Sequence, residues 1–191
     1  IRSDAMAKDI INGEYKAKKE KCDIMSIIKN IKGDRYKWVI VPRHIPLIIS
    51  DPQLMFYIIR NALSNANKYG QQWGDININI SVTNKMLEIS IINYPGEQHE
   101  KLLTLENPNI IFNKGIRLHK KTYVEPCNEM SISSRSSGDG AWIIKTCSEL
   151  CGGESNIRFE SDKTTYTFTC PIELYVTSYD VENFIFPNNT I

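Results

Sequence analysis

Hydrophobic and polar positions along this chain change period several times, and each change marks an element. From Asp51 to Gly70, DPQLMFYIIRNALSNANKYG, apolar residues return at helical spacing. Asp51 stands where a side chain caps a first turn, Pro52 follows where a missing N–H costs nothing, and Gly70 marks the end. Met55, Ile59, Ala62, Leu63 and Ala66 form an apolar stripe that the spacing turns toward a core. Leu54, Ile58, Asn61, Asn65 and Lys68 share the neighbouring face, which starts apolar and becomes polar at Asn61. The stretch DININISVT, from Asp75 to Thr83, alternates with period two. Ile76, Ile78, Ile80 and Val82 face one way and Asn77, Asn79 and Ser81 the other, as in a half-buried strand. Asn84-Lys85 makes a turn, and the chain from Met86 to Ile92 returns as a hairpin partner.

Shorter patterns fill the rest. Ile1 to Ile11 reads as a helix with Ala5, Met6, Ile10 and Ile11 as a weak stripe, ended by Gly13. Cys22-Asp23-Ile24 reads as a short strand running into an amphipathic helix toward Lys32. YKWVIV, from Tyr36 to Val41, is a short strand, and Pro46 to Ile49 is extended. Glu97 to Leu105 reads as a short helix inside a long aperiodic segment that reaches Ser137. Such a segment is usually a lid, a binding loop or disorder, and SISSRSS at its end has the composition of a hinge. Trp142, Ile143, Ile144, Cys147, Leu150 and Cys151 form the core face of a helix that Gly152-Gly153 ends. Asn156 to Glu160 and Thr164 to Pro171 alternate as a terminal hairpin turning at Asp162-Lys163.

Composition narrows the picture slightly. A chain of 191 residues holds one sizeable domain plus an appendage. With 24% charged residues and a net charge of +1, nothing points to nucleic acid or to an anionic membrane. The five cysteines are scattered, without a CxxC pair. Cys147 and Cys151 are one helical turn apart but have no His or Cys partner at ligand spacing, so they read as buried thiols of a reducing compartment. No apolar run approaches membrane-spanning length, so a cytoplasmic domain without membrane contact is expected. The chain begins at Ile1 rather than Met and reads as a piece of a longer protein.

The candidate chemistry lies on the long helix and in two glycine turns. Two carboxamides and an ammonium at helical spacing beside a core stripe are expensive to order without a partner. Amide oxygens suit a hard cation such as Mg²⁺ and a lysine suits a phosphate; the competing reading is a solvated helix edge. Gly138-x-Gly140 opening a helix is a phosphate-binding device, because free N–H groups and the positive helix end favour an anion. Asn93-Tyr94-Pro95-Gly96 fits a turn on its own.

NALSNANKYG, Asn61 to Gly70, strongly resembles the N-box of the histidine-kinase type ATP-binding domain, in the GHKL or Bergerat-fold superfamily, whose pattern runs N-L-x-x-N-A-x-K-[YF]-[ST]. The resemblance implies that Asn65 holds the Mg²⁺ bridging the phosphates, with Asn61 on the same polar face. It also implies that Lys68 reaches a phosphate oxygen and that Tyr69 packs by the nucleotide. The strand ending in Asn93 stands where the family has its G1 box, D-x-G-x-G. Asn93 takes the place of the aspartate that accepts from the adenine amino group, and only Gly96 follows. Ser137 to Ala141 and the helix after it resemble the G2 box, with Gly138 and Gly140 at the phosphates and Lys145 at a basic position; Asp139 and Ala141 replace leucines. Phe112 in IIFNKGIRL resembles the F-box phenylalanine that anchors an ATP lid, and plain core packing is an equal alternative. Arg117, His119, Lys120 and Lys121 could approach phosphates or belong to a solvated loop.

The implied fold is an α/β two-layer sandwich, the Bergerat ATP-binding fold, with a mixed, mostly antiparallel sheet and helices on one face. Residues 1–20 would end a linking or dimerisation helix, 21–172 would be the ATP-binding domain, and 173–191 a tail or linker. The implied function is the catalytic and ATP-binding domain of a histidine kinase in two-component, phosphorelay signalling, using ATP and Mg²⁺. It would transfer the γ-phosphoryl group to a histidine outside this fragment. Its partners would be a phosphoacceptor histidine domain and a response regulator; no histidine precedes His44, and no residue is identified as an acid or base catalyst. One alternative is a degenerate domain acting as a regulatory or interaction module with weak or no nucleotide binding, motivated by Asn93 and Asp139. Another is a GHKL ATPase closing a dimer, which needs a glutamate four residues before Asn65; Asn61 at that place argues against it.

Overall fold

A computed structural model describes residues 8–32, 39–40, 47–116 and 139–175. Several sequence expectations fall outside them: the helix before residue 8, most of the YKWVIV strand, the SISSRSS hinge, Gly138, and the basic run Arg117 to Lys121. The elements run β1 (Glu20–Cys22), α2 (Ile24–Lys32), β2 (Val39–Ile40), β3 (Ile48–Ser50) and α3 (Pro52–Tyr69), after a first helical stretch α1 described over residues 8–12. They continue as β4 (Ile76–Thr83), β5 (Met86–Asn93), α4 (His99–Leu103), a 3₁₀ turn (Pro108–Phe112) and α5 (Gly140–Leu150). The hairpin β6 (Glu154–Glu160) and β7 (Lys163–Pro171) and the short β8 (Glu173–Leu174) complete the order.

Local chemistry accounts for most boundaries. Asp51 is the N-cap of α3, accepting from the amides of Gln53 and Leu54 at 2.9 and 3.0 Å. Asp23 does the same for α2, where its carboxylate takes the Ser26 amide and hydroxyl. The β4–β5 hairpin turns on Asn84 and Lys85, both at positive φ (51° and 62°), the two-residue geometry whose twist matches the strands. The last hairpin turns one residue earlier than the sequence suggests. Lys163 already pairs with Glu160 inside the ladder, and the two side chains carry opposite charge 3.6 Å apart.

The main sheet has the order β2-β4-β5-β7-β6, with β2 parallel to β4 and the other pairs antiparallel. It is the mixed, mostly antiparallel sheet expected, and α3 and α5 pack on it and on each other. A second, smaller antiparallel sheet, β1-β3-β8, was not foreseen. In it Glu173–Leu174, which the sequence reading assigned to the tail, pair with Ile49 and Ile48. The core lies between the helices and the main sheet. The expected stripe of α3 is buried throughout, together with Leu87, Ile89 and Ile91 of β5 and Phe168 of β7.

The core face of α5 differs from its sequence pattern. Ile144 and Cys147 are buried, but so is Ser148, whereas Trp142, Ile143, Leu150 and Cys151 are only half-buried. Ser148 is tolerated there because its hydroxyl donates to the Ile144 carbonyl at 2.7 Å and meets Ser155 Oγ. Ser155 in turn meets the Tyr166 hydroxyl at 3.0 Å. Cys22, Cys147, Cys151 and Cys170 are free thiols. Burial pushes those of Cys22, Cys147 and Cys170 up to about 12, so they stay protonated and unreactive at neutral pH. Among the described residues no helix is long and apolar enough to cross a membrane.

Candidate functional site

The polar face of α3 meets the start of α5. Asn61 donates its amide nitrogen to the Tyr57 carbonyl one turn back, at 2.8 Å. That bond fixes the carboxamide so that its oxygen faces Gly140, the first residue of α5. A Cβ on Gly140 would stand 3.3 Å from Asn61 Oδ1 and 3.8 Å from Asn65 Oδ1. Two amide oxygens thus converge on a helix start whose backbone approaches closely because Gly140 has no side chain. Asp139 occupies the N-cap position of α5, and its side chain makes no capping bond. The positive end of α5 therefore lies beside Asn61 and Asn65, and Gly138 is outside the described residues.

A second cluster forms at the C-terminal end of α3, where Gly70 stands about 7.5 Å along the helix from Asn65. Lys68 is exposed, and its ammonium lies 5.0 Å from the centre of the half-exposed Tyr69 ring. Gly70 closes the helix in an extended conformation (φ −79°, ψ −178°), not the left-handed one that usually calls for glycine there. Space explains the glycine instead. A Cβ on Gly70 would sit 2.5 Å from the Ala66 carbonyl and 2.7 Å from Asn93 Nδ2. The Asn93–Gly96 turn is pressed against this helix end. Gly70 bridges to Pro95, and Gln71 N donates to the Tyr94 carbonyl at 3.0 Å. A Cβ on Gly96 would lie 2.3 Å from the Tyr69 carbonyl.

Asn93 is 8% exposed at the end of β5, paired across the sheet with Ile76 and Thr164. Its Nδ2 donates to the Tyr94 carbonyl at 3.0 Å. The reverse amide orientation would set two oxygens against each other, so the carbonyl of Tyr94 decides it and leaves Oδ1 as the acceptor. An aspartate cannot make that bond. Asn93→Asp is expected to destabilise the free chain by about 2 kcal/mol, the scale of a lost buried hydrogen bond with two oxygens left in contact. A urea unfolding midpoint at pH 7 that did not move would show the amide orientation to be wrong.

The sequence-derived site residues therefore fall into two groups, Asn61, Asn65 and Gly140 in one, and Lys68, Tyr69, Asn93 and Gly96 in the other. Phe112 is buried with its ring tilted against Tyr166, 6.2 Å between centroids, as the core-packing alternative has it. Beside it Lys114 places its ammonium 4.9 Å from the Trp142 ring, tying the 3₁₀ turn to the first turn of α5. Sequence reasoning missed the Tyr94 carbonyl and the second oxygen of Asp51, which binds Tyr15 and Lys18 far back in the chain. Neither leaves a signal in residue type or spacing. Among the described residues no cluster of three or more His, Cys, Asp or Glu could hold a metal ion. The donors that do converge are neutral amide oxygens, a set that fits a hard cation sharing its coordination with phosphate oxygens.

Comparison with family models matches residues 50–174 to the histidine kinase-, DNA gyrase B- and HSP90-like ATPases. Comparison with curated protein sequences gives no match. Among solved structures, the chain is similar to the Acinetobacter baumannii histidine kinase AdeS, with 12% identity and a TM-score of 0.59, over 86% of this chain and 72% of that one. It is similar to the mycobacterial sensor histidine kinase MprB, with 16% identity and a TM-score of 0.60, over 83% of this chain and 100% of that one. Full-length ShkA, solved with AMPPNP, gives 15% identity and a TM-score of 0.61 over 85% of this chain, which spans about a third (33%) of ShkA. Identities this low speak for the fold alone.

Proposed function

Because the chain belongs to the histidine kinase-, DNA gyrase B- and HSP90-like ATPase family, we propose that it is the catalytic, ATP-binding domain of a histidine kinase. It transfers the γ-phosphoryl group of ATP to a histidine outside these residues, on a phosphoacceptor domain that in turn supplies a response regulator. The observation that carries this reading is the approach of Gly140 to the amide oxygens of Asn61 and Asn65. It sets the start of α5 beside the two carboxamides, where a polyphosphate has both donors and a metal-binding edge.

In this reading the base lies by Asn93, at the C-terminal end of α3, and the phosphates by Gly140, beside Asn61 and Asn65 in the body of the helix. Asn93 Oδ1 accepts from the adenine amino group, and Tyr69 covers the base. Lys68 reaches a phosphate oxygen from the exposed end of the helix. Mg²⁺, when bound through Asn65, offsets charge on the phosphates. The amides at the start of α5 hold the phosphates in line, so the chain contributes positioning and electrostatics rather than a general base.

A second reading, a domain that serves as an interaction module without binding nucleotide, has two observations in its favour. Asn93 offers the base an acceptor without charge, and Asp139 adds a carboxylate at the start of α5. Calorimetric titration with Mg²⁺ and a non-hydrolysable ATP analogue separates the two. The kinase reading expects a micromolar dissociation constant that weakens when EDTA removes the metal. No heat of binding at millimolar nucleotide would overturn it in favour of the interaction module.

A further inference from the structure

Asp51 is buried, with 3% of its surface exposed, yet the helix it caps uses only one of its two carboxylate oxygens. Oδ1 accepts from the amides of Gln53 and Leu54. Oδ2 accepts from the Tyr15 hydroxyl and from the amide of Lys18, both at 2.8 Å. These two donors lie 36 and 33 residues back, in the segment that leads into the domain from α1. The segment is tied to α1 in turn, since the carbonyl of Asp9 accepts from the amides of Glu14 and Tyr15 at 2.8 and 3.2 Å. Ile10 of α1 is buried in the same core. An unbroken path of bonds therefore runs from α1 through Tyr15 to Asp51, and then along α3 to Asn61 and Asn65.

We propose that Asp51 is a positioning residue with two hands, one closing the helix that carries Asn61 and Asn65 and the other holding the entering segment at Tyr15 and Lys18. The placement of that segment then sets the order of α3, and through it the affinity of the nucleotide site. At this joint four hydrogen bonds converge on one buried residue, so releasing either side leaves its carboxylate short of partners. Burial and the neighbouring Asp51 carboxylate hold the Tyr15 phenol well above its ordinary range. It therefore keeps its proton and its donor role throughout the physiological range.

The influence on nucleotide affinity rests on the reading under Proposed function; the coupling of the segment to α3 does not, and the experiment separates them. Tyr15→Phe removes one donor to Oδ2 and leaves the cap of α3 untouched. Amide hydrogen exchange is compared between wild type and Tyr15→Phe without nucleotide, with Ile89 and Ile91 of β5 as the reference for global unfolding. The expected result is faster exchange at the helix amides as far as Asn65, by about fivefold beyond any change at the reference. Exchange altered only at residues 15–18 would overturn the proposal.

The second readout is titration of the Mg²⁺–nucleotide analogue, expected about fivefold weaker in Tyr15→Phe. By reciprocity, bound nucleotide slows exchange of the Lys18 amide in wild type by a similar factor. A lower melting temperature with unchanged affinity and an indifferent Lys18 amide would reduce Asp51 to a structural cap. Wild type that shows the exchange coupling but binds no nucleotide would instead overturn the kinase reading and keep the joint. Asp51→Asn serves as a check. Its amide oxygen still caps α3, while its amide nitrogen meets two donors in place of an acceptor, so the exchange effect should exceed that of Tyr15→Phe.

Discussion

Asn65→Ala is expected to weaken binding of the Mg²⁺–nucleotide complex by on the order of 100-fold, about 2.7 kcal/mol, with the melting temperature nearly unchanged. The two halves of that expectation have separate causes. Asn65 is half-buried on the polar face of α3, away from the buried stripe. Alanine is the best helix former, so the helix loses no propensity from the exchange. What disappears is the amide oxygen that faces Gly140 alongside that of Asn61. If it supplies a metal ligand, the loss depends on the cation. The variant and wild type should differ by the full factor in Mg²⁺ and by little in EDTA. A variant equally weakened in both conditions would mean that Asn65 acts on the phosphates directly. One with unchanged affinity would remove the metal assignment.

The second large effect is at Gly96. Gly96→Ala puts a methyl group 2.3 Å from the Tyr69 carbonyl and 2.7 Å from the Gly70 carbonyl, both backbone atoms with no side chain to swing aside. The turn has to part from the end of α3. In doing so it strains the Gly70–Pro95 bridge and the bond from Gln71 N to the Tyr94 carbonyl. A backbone overlap of this kind costs about 3 kcal/mol, or roughly 6–12 °C in melting temperature. Asn93 takes its orientation from the same Tyr94 carbonyl. Binding measured well below the transition should therefore weaken about tenfold, the worth of one well-placed hydrogen bond. A variant with wild-type melting and wild-type affinity would show that helix end and turn are not joined as described.

Much of this was legible in the sequence, for identifiable reasons. The long helix announced itself because its cap, its proline and its apolar spacing agree over 18 residues. The β4–β5 hairpin was legible because strict alternation flanks a two-residue turn. The ten residues from Asn61 to Gly70 carried a motif dense enough to suggest a family, and the family match bears that out. What stayed hidden depends on the chain folding back on itself. Cys22 and the stretch Pro46 to Ile49 read as extended, but the pairing of β1 and β3 and the existence of β8 did not show, because strands of two or three residues have no period to read. Ser148 reads as a surface residue until Ser155 and Tyr166 are brought beside it. Gly70 suggests a left-handed cap by its place in the helix, but the space for a side chain is closed by the Ala66 carbonyl and by Asn93, an asparagine 23 positions further on. Residue type reveals local geometry more readily than it reveals company.

The small sheet has a topological consequence. β1 and β8 flank β3 on its two sides, so the segments entering at Glu20 and leaving after Leu174 are only two strand spacings apart, about 10 Å. The unit is gathered at one seam, like a loop drawn from a thread. Joining Leu174 back to Glu20 with a handful of residues would span that gap without disturbing the main sheet. The two ends of this sheet thus lie close in space, while the segment before Glu20 still packs on the same unit through Ile10 and Tyr15.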